Sequence, residues 1–248
     1  MRAQPRIVWM GVGLMLLACG GTEPSPAPQP AASSTEGGEE QDGRSDIRGH
    51  MATNFKLAMD ARDAVINGDL PGAQAAAKTL AFHDHSKVLP ERWTDDVKKM
   101  QDAAADVAMA TDLAKAGQAV AELASTCGDC HARLKYTGDE DKMEHGLSPS
   151  DDENIHQRML RHQRAADGLW FGLTIPSNNA WREGSRALTE APMAAPQEDG
   201  KPIDPALNDK MEEILGLGRA ALEAEGREQR TKAYGTLLVS CANCHADE

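Results

Sequence analysis

From residue 46 onward, apolar and polar positions recur with the period of a helix, and no segment shows the two-residue alternation of a strand. Ile47, Met51, Phe55, Ala58, Met59, Val65 and Ile66 fall at three-to-four spacing. They predict a first helix, which Asn67-Gly68 stops. A second helix is predicted over about 70–82. A third begins at Thr94, read as its N-cap, with Asp95 and Asp96 in the first turn. Its stripe is Val97, Met100, Ala104, Val107 and Ala108. A fourth carries Val120, Leu123, Ala124 and Cys127. A second set follows. Ser150 and Glu153 form a capping box, and Pro176 lies near the end of the helix it opens. Asp204-Pro205 starts another helix with the stripe Leu207, Met211, Ile214, Leu215 and Leu222. Leu237, Leu238 and Cys241 belong to the last. The pattern does not mark the break between third and fourth helices in either set.

The two sets are copies. Asp46-Ile47 and Met51 align with Asn154-Ile155 and Met159, and Leu80 aligns with Leu188, all at an offset of 108 positions. Cys127-Gly128-Asp129-Cys130-His131 recurs as Cys241-Ala242-Asn243-Cys244-His245 after 114 positions, the extra residues falling around Ala195–Pro202. A period this long is a domain duplication, since solenoid units are far shorter. The expected fold is all-α: two tandem four-helix bundles, 46–136 and 150–248, joined by a linker at 137–149. The bundles either dock rigidly or move on that linker.

The N-terminus reads as a targeting segment. Arg2 and Arg6 precede an apolar run, Ile7–Ala18, that is too short to span a bilayer. It ends in Leu16-Leu17-Ala18-Cys19-Gly20, which resembles a bacterial lipobox and implies lipidation at Cys19 after removal of residues 1–18. Residues 19–45, rich in Pro, Ser, Gly and Glu, read as a flexible tether. The expected location is the periplasmic or cell-surface side of a bacterial membrane, with the membrane as one partner.

Composition narrows the picture. Aromatic residues are 4 % of the 248, which favours helices over strands. The formal net charge is −13, which argues against a nucleic-acid surface and suits an aqueous compartment.

Five cysteines sort into Cys19 and two CxxC pairs. CxxCH is the attachment pattern of c-type haem. Two thiols on one turn of helix reach the two vinyl groups of a porphyrin, and the adjacent histidine projects toward the iron. The expectation is two covalently bound haem c groups, held by Cys127, Cys130, Cys241 and Cys244, with His131 and His245 on the irons. A thiol–disulfide pair and a zinc site are the rival uses of such spacing.

A helical unit with CxxCH near the end of its last helix resembles the cytochrome c′ family and its low-spin relatives. The resemblance covers about 46–136 and 150–248 and rests on architecture and the two motifs. It implies haem inside each bundle, flanked by the first helix, with either a methionine of that helix or nothing at the sixth position. Met51 and Met159 occupy matching positions and are the candidates, against a reading as core-filling methionines. His162, whose counterpart is Asn54, rivals Met159; His50 rivals Met51 but points about 100° away around the helix. His83 and His85 read as surface residues, and His145 and His156 have no counterpart. Arg133, Arg158 and Arg161 read as solvated rather than as haem-propionate partners. Electron transfer with unidentified redox proteins is the expected function. A peroxidase-like enzyme and a small-gas binder are the alternatives, and no catalytic constellation is visible.

Overall fold

A computed structural model of the chain describes residues 36–136, 138, 155–190 and 205–245. Among the described residues the fold is all-α. The helices are α1 (Glu36–Ile66), α2 (Leu70–Phe82), α3 (Thr94–Ala108), α4 (Leu113–Arg133), α5 (Ile155–Thr174), α6 (Asn178–Thr189), α7 (Pro205–Glu223) and α8 (Gly226–His245). The targeting segment, Cys19 and the capping box at Ser150 lie outside the described residues.

Local chemistry sets most of the ends. Gly68 adopts φ 72°, the left-handed conformation that closes α1 at the predicted place. Asp69 then caps α2 by accepting from the Gly72 amide at 2.9 Å. Asp112 caps α4 through the Lys115 amide at 2.8 Å and marks the break that periodicity left open. Ser177 caps α6 through the Ala180 amide. Two ends differ from expectation. Thr94 is not an N-cap: a 3₁₀ turn, Glu91–Trp93, leads into α3, and the Thr94 hydroxyl donates to the Glu91 carbonyl at 2.6 Å. Helix α1 also starts at Glu36, inside the segment expected as tether. The last proline of that segment is Pro30, and extending a helix already anchored by packing costs little.

Within the first half, α1 packs on α2, α2 on α3, α3 on α4, and α4 returns to α1. The second half repeats this: α5 on α6, α6 on α7, α7 on α8, and α8 beside α5. The halves share one continuous apolar core. In the first half it is built of small side chains such as Ala58, Ala61, Ala73, Ala77 and Ala104; in the second it is filled by Trp170, Trp181 and Tyr234.

Across the halves α4 lies along α8, α4 touches α5, and α1 touches α8. Phe55 stacks on Phe171 with centroids 5.8 Å apart. Arg62, 1 % exposed, pairs with Asp167 of α5 at 2.7 Å and sits over the Trp170 ring. Arg62 and Trp170 are 108 positions apart, the same spacing as between Met51 and Met159.

Candidate functional site

Both CxxCH motifs occupy the last turns of helices, Cys127–His131 in α4 and Cys241–His245 in α8. The four cysteines are unpaired and half-buried. Burial, and then the neighbouring Cys130, pushes the Cys127 thiol up to about 12. Burial and Cys244 do the same to Cys241. Thiols of disulfide-exchanging enzymes are shifted the opposite way, toward the reactive thiolate.

His131 is held by the neighbouring half. Its Nδ1–H donates to the Thr174 carbonyl at the end of α5, at 2.6 Å. A carbonyl oxygen only accepts, so the proton is on Nδ1 and the lone pair on Nε2. Burial lowers the pKa of His131, which favours the neutral ring. A metal-ligating histidine carries this same signature, an outer hydrogen bond to a carbonyl that fixes tautomer and orientation. The Tyr136 ring lies 4.9 Å away. Arg133 is exposed and pairs with Asp96, tying the end of α4 to α3. His245 is exposed at the last residue of α8.

The two motifs stand at opposite ends of the α4/α8 pair. Gly117 lies against Leu238 and Val239, while Gly128 lies against Arg227 and the Leu173 carbonyl. Arg227 also donates to the Ser125 carbonyl at 2.8 Å and pairs with Asp129 at 2.7 Å. The helices are therefore antiparallel. Cys127 is level with the start of α8, and Cys241 is about thirteen residues further on, or about 20 Å at 1.5 Å per residue.

Met51 and Met159 are half-buried and lie off the common core. Met51 is one turn before Phe55, which stacks on Phe171; His131 bonds Thr174, three residues after Phe171. Met51 and His131 thus share one end of the α1/α5 crossing. In the other half Trp170 meets Tyr234 with centroids 6.1 Å apart. Helices α5 and α8 run antiparallel, because the ends of α4 and α5 coincide. Met159, eleven residues before Trp170, is therefore level with His245, eleven after Tyr234.

Asn54 and His162 are also 108 positions apart. Each buries a polar atom, Oδ1 and Nε2 respectively, that has no hydrogen-bond partner. Burial first, and Arg161 and Arg158 next, pull the pKa of His162 down to about 4. Arg158 and Arg161 are 3 % and 0 % exposed, so their reading as solvated is overturned. They lie on the inward face of α5, an orientation the repeat register alone does not reveal.

His85 is also misread by sequence: it is 3 % exposed, not a surface residue. The segment after α2 folds back under α1, so that His50 Nε2 lies 2.7 Å from His85 Nδ1. The usable signal was His83-x-His85 following a helix whose partner carries His50. His145 lies outside the described residues, and His156 is exposed. Among the described residues no helix is long and apolar enough to cross a membrane. Searched against protein families, curated proteins and solved structures, the chain matches none.

Proposed function

We propose that this chain is an exported, lipid-anchored c-type cytochrome with two haems, one attached at each CxxCH motif, and that it carries electrons between redox proteins. The observation that carries the reading is His131, neutral, with Nδ1–H committed to the Thr174 carbonyl and the Nε2 lone pair left for a metal. The donor set fits the group: two unpaired thiols one turn apart on α4, the same pair on α8, and a histidine adjacent to each. Haem iron supplies a one-electron couple whose potential depends on its axial ligands and burial. Cys127, Cys130, Cys241 and Cys244 would hold the two haems, and His131 and His245 would be their iron ligands.

The remaining residues orient and shield. Thr174 fixes the His131 ring through its carbonyl. Met51 and Met159, level with His131 and His245 and off the core, would be the further iron ligands. His162 is the rival in the second unit, because its buried Nε2 lacks a partner. The halves are read as tandem four-helix bundles of cytochrome c′ type. Support comes from their matching packing and from Arg62 touching its repeat counterpart Trp170, as expected for a fused pair related by a pseudo-twofold axis. Cys19 is the proposed lipid anchor. Export is a condition of the reading, because c-type haem is attached outside the cytoplasm.

The test is expression with a c-type haem maturation system. The mature protein should gain the mass of two haems and show a Soret band, and each Cys-to-Ala pair should remove one haem. Met51→Ala and Met159→Ala should each convert one haem to a spectrum that responds to carbon monoxide. Purified protein with neither added mass nor Soret absorbance refutes the proposal. Carbon monoxide binding by the unmodified protein would favour the small-gas reading instead.

A further inference from the structure

Three histidines far apart in sequence meet beside α1. His50 projects from α1, and His83 and His85 from the segment after α2. Their ring centroids are 4.9–5.1 Å from one another. One nitrogen from each ring can be chosen so that all three lie within 4.8 Å of one another. His85 is buried against Asn54, whose Nδ2 is 3.5 Å from His85 Nδ1.

The backbone around the cluster is tied down. The His85 carbonyl accepts from the Val88 and Leu89 amides at 3.2 and 2.9 Å. Gln101 of α3 donates to the His83 carbonyl at 3.0 Å. The carboxylate between the two histidines is engaged within its own segment: Asp84 accepts from the Ser86 amide and hydroxyl and pairs with Lys87. In its neutral form each imidazole offers one lone pair, three in all. The His50–His85 hydrogen bond occupies one of them.

We propose that His50, His83 and His85 form a three-imidazole site for a borderline divalent transition metal, with Zn²⁺ or Cu²⁺ the best match to neutral nitrogen donors and a fourth position left for water or an anion. At metal–nitrogen distances of about 2.0–2.1 Å, ligand nitrogens in a tetrahedral site stand about 3.3 Å apart. The His50–His85 pair would open by about 0.6 Å and His83 would close in, changes within reach of side-chain rotation on a held backbone. A bound ion would clamp the α2–α3 segment onto α1. The inference does not depend on haem attachment.

The experiment uses the full chain as isolated, stripped with chelator, desalted and titrated with Zn²⁺ by calorimetry, with bound zinc counted by elemental analysis. One zinc per chain is expected. His83→Ala and His85→Ala should each weaken binding at least tenfold, whereas His156→Ala, an exposed histidine outside the cluster, should leave it unchanged. His83→Asn is the variant least disturbing to the fold. Its unfolding midpoint without zinc should match that of the unmodified chain, and it should lose the stabilisation that added zinc confers. Absence of zinc binding overturns the proposal, as does equal binding by the triple alanine variant. A zinc-free result in which His85→Ala instead shifts the Soret band would assign these rings to iron and equally overturn it.

Discussion

Replacing Gly128 by alanine sets two effects of opposite sign against each other. Helix propensity alone favours alanine by about 1 kcal/mol. A Cβ at this position, however, would collide with the Leu173 carbonyl oxygen and stand 2.5 Å from Arg227 Nη1. The arginine can move, but the carbonyl is main chain in the last turn of α5 and yields only if α4 and α5 separate. Forcing an extra methyl into a packed contact costs about 1–3 kcal/mol. The separation also stretches the 2.6 Å bond from His131 to Thr174, which adds about 0.5–1.5 kcal/mol. The net expectation is a loss of about 0.5–3.5 kcal/mol, read as a lower urea midpoint by far-ultraviolet ellipticity. The second motif carries Ala242 at the matching place, fully buried, so under the proposed haem attachment a methyl there is compatible with the thioethers. Haem content should therefore stay unchanged while stability falls. An unchanged or raised midpoint would show that α4 and α5 are not in the contact described, and the support of His131 by Thr174 would go with it.

His162 makes stability depend on pH. Its folded pKa is about 4, against 6.5 for the ordinary ring, so between those values the unfolded chain binds a proton that the folded one refuses. Stability then falls as pH drops from about 6.5 to about 4, by about 3 kcal/mol in all, and is unaffected by this group above that window. His162→Gln should flatten that part of the stability–pH curve; an unaltered slope would mean the ring is not buried. Asp167→Ala removes one of the two carboxylates paired with the buried Arg62, leaving Asp63, and should cost about 2 kcal/mol in urea. Arg62→Met, which removes the charge as well, should cost less than Asp167→Ala; the reverse order would refute the account of a buried, paired guanidinium.

The helical character, several helix ends and the two CxxCH motifs were legible because they rest on neighbours in sequence. Apolar spacing, Gly68 at positive φ and the helix start at Thr94 need only a few residues each. The break between α3 and α4 was not legible, since it rests on Asp112, an ordinary polar residue until its side chain is seen to cap Lys115. Three side chains were misjudged for a common reason. Arg158, Arg161 and His85 have polar names and buried positions, and burial depends on which helices pass nearby.

The sequence by itself determined an all-helical chain that carries CxxCH twice, because periodicity and spacing are local properties. Tertiary structure alone decided that α4 and α8 run antiparallel, with the motifs about 20 Å apart at opposite ends. It alone brought Thr174 to His131 and gathered His50, His83 and His85. Those relations join residues as much as 122 positions apart, as Gly117 and Val239 are. They follow from the shared core into which both halves pack, which no window of sequence contains.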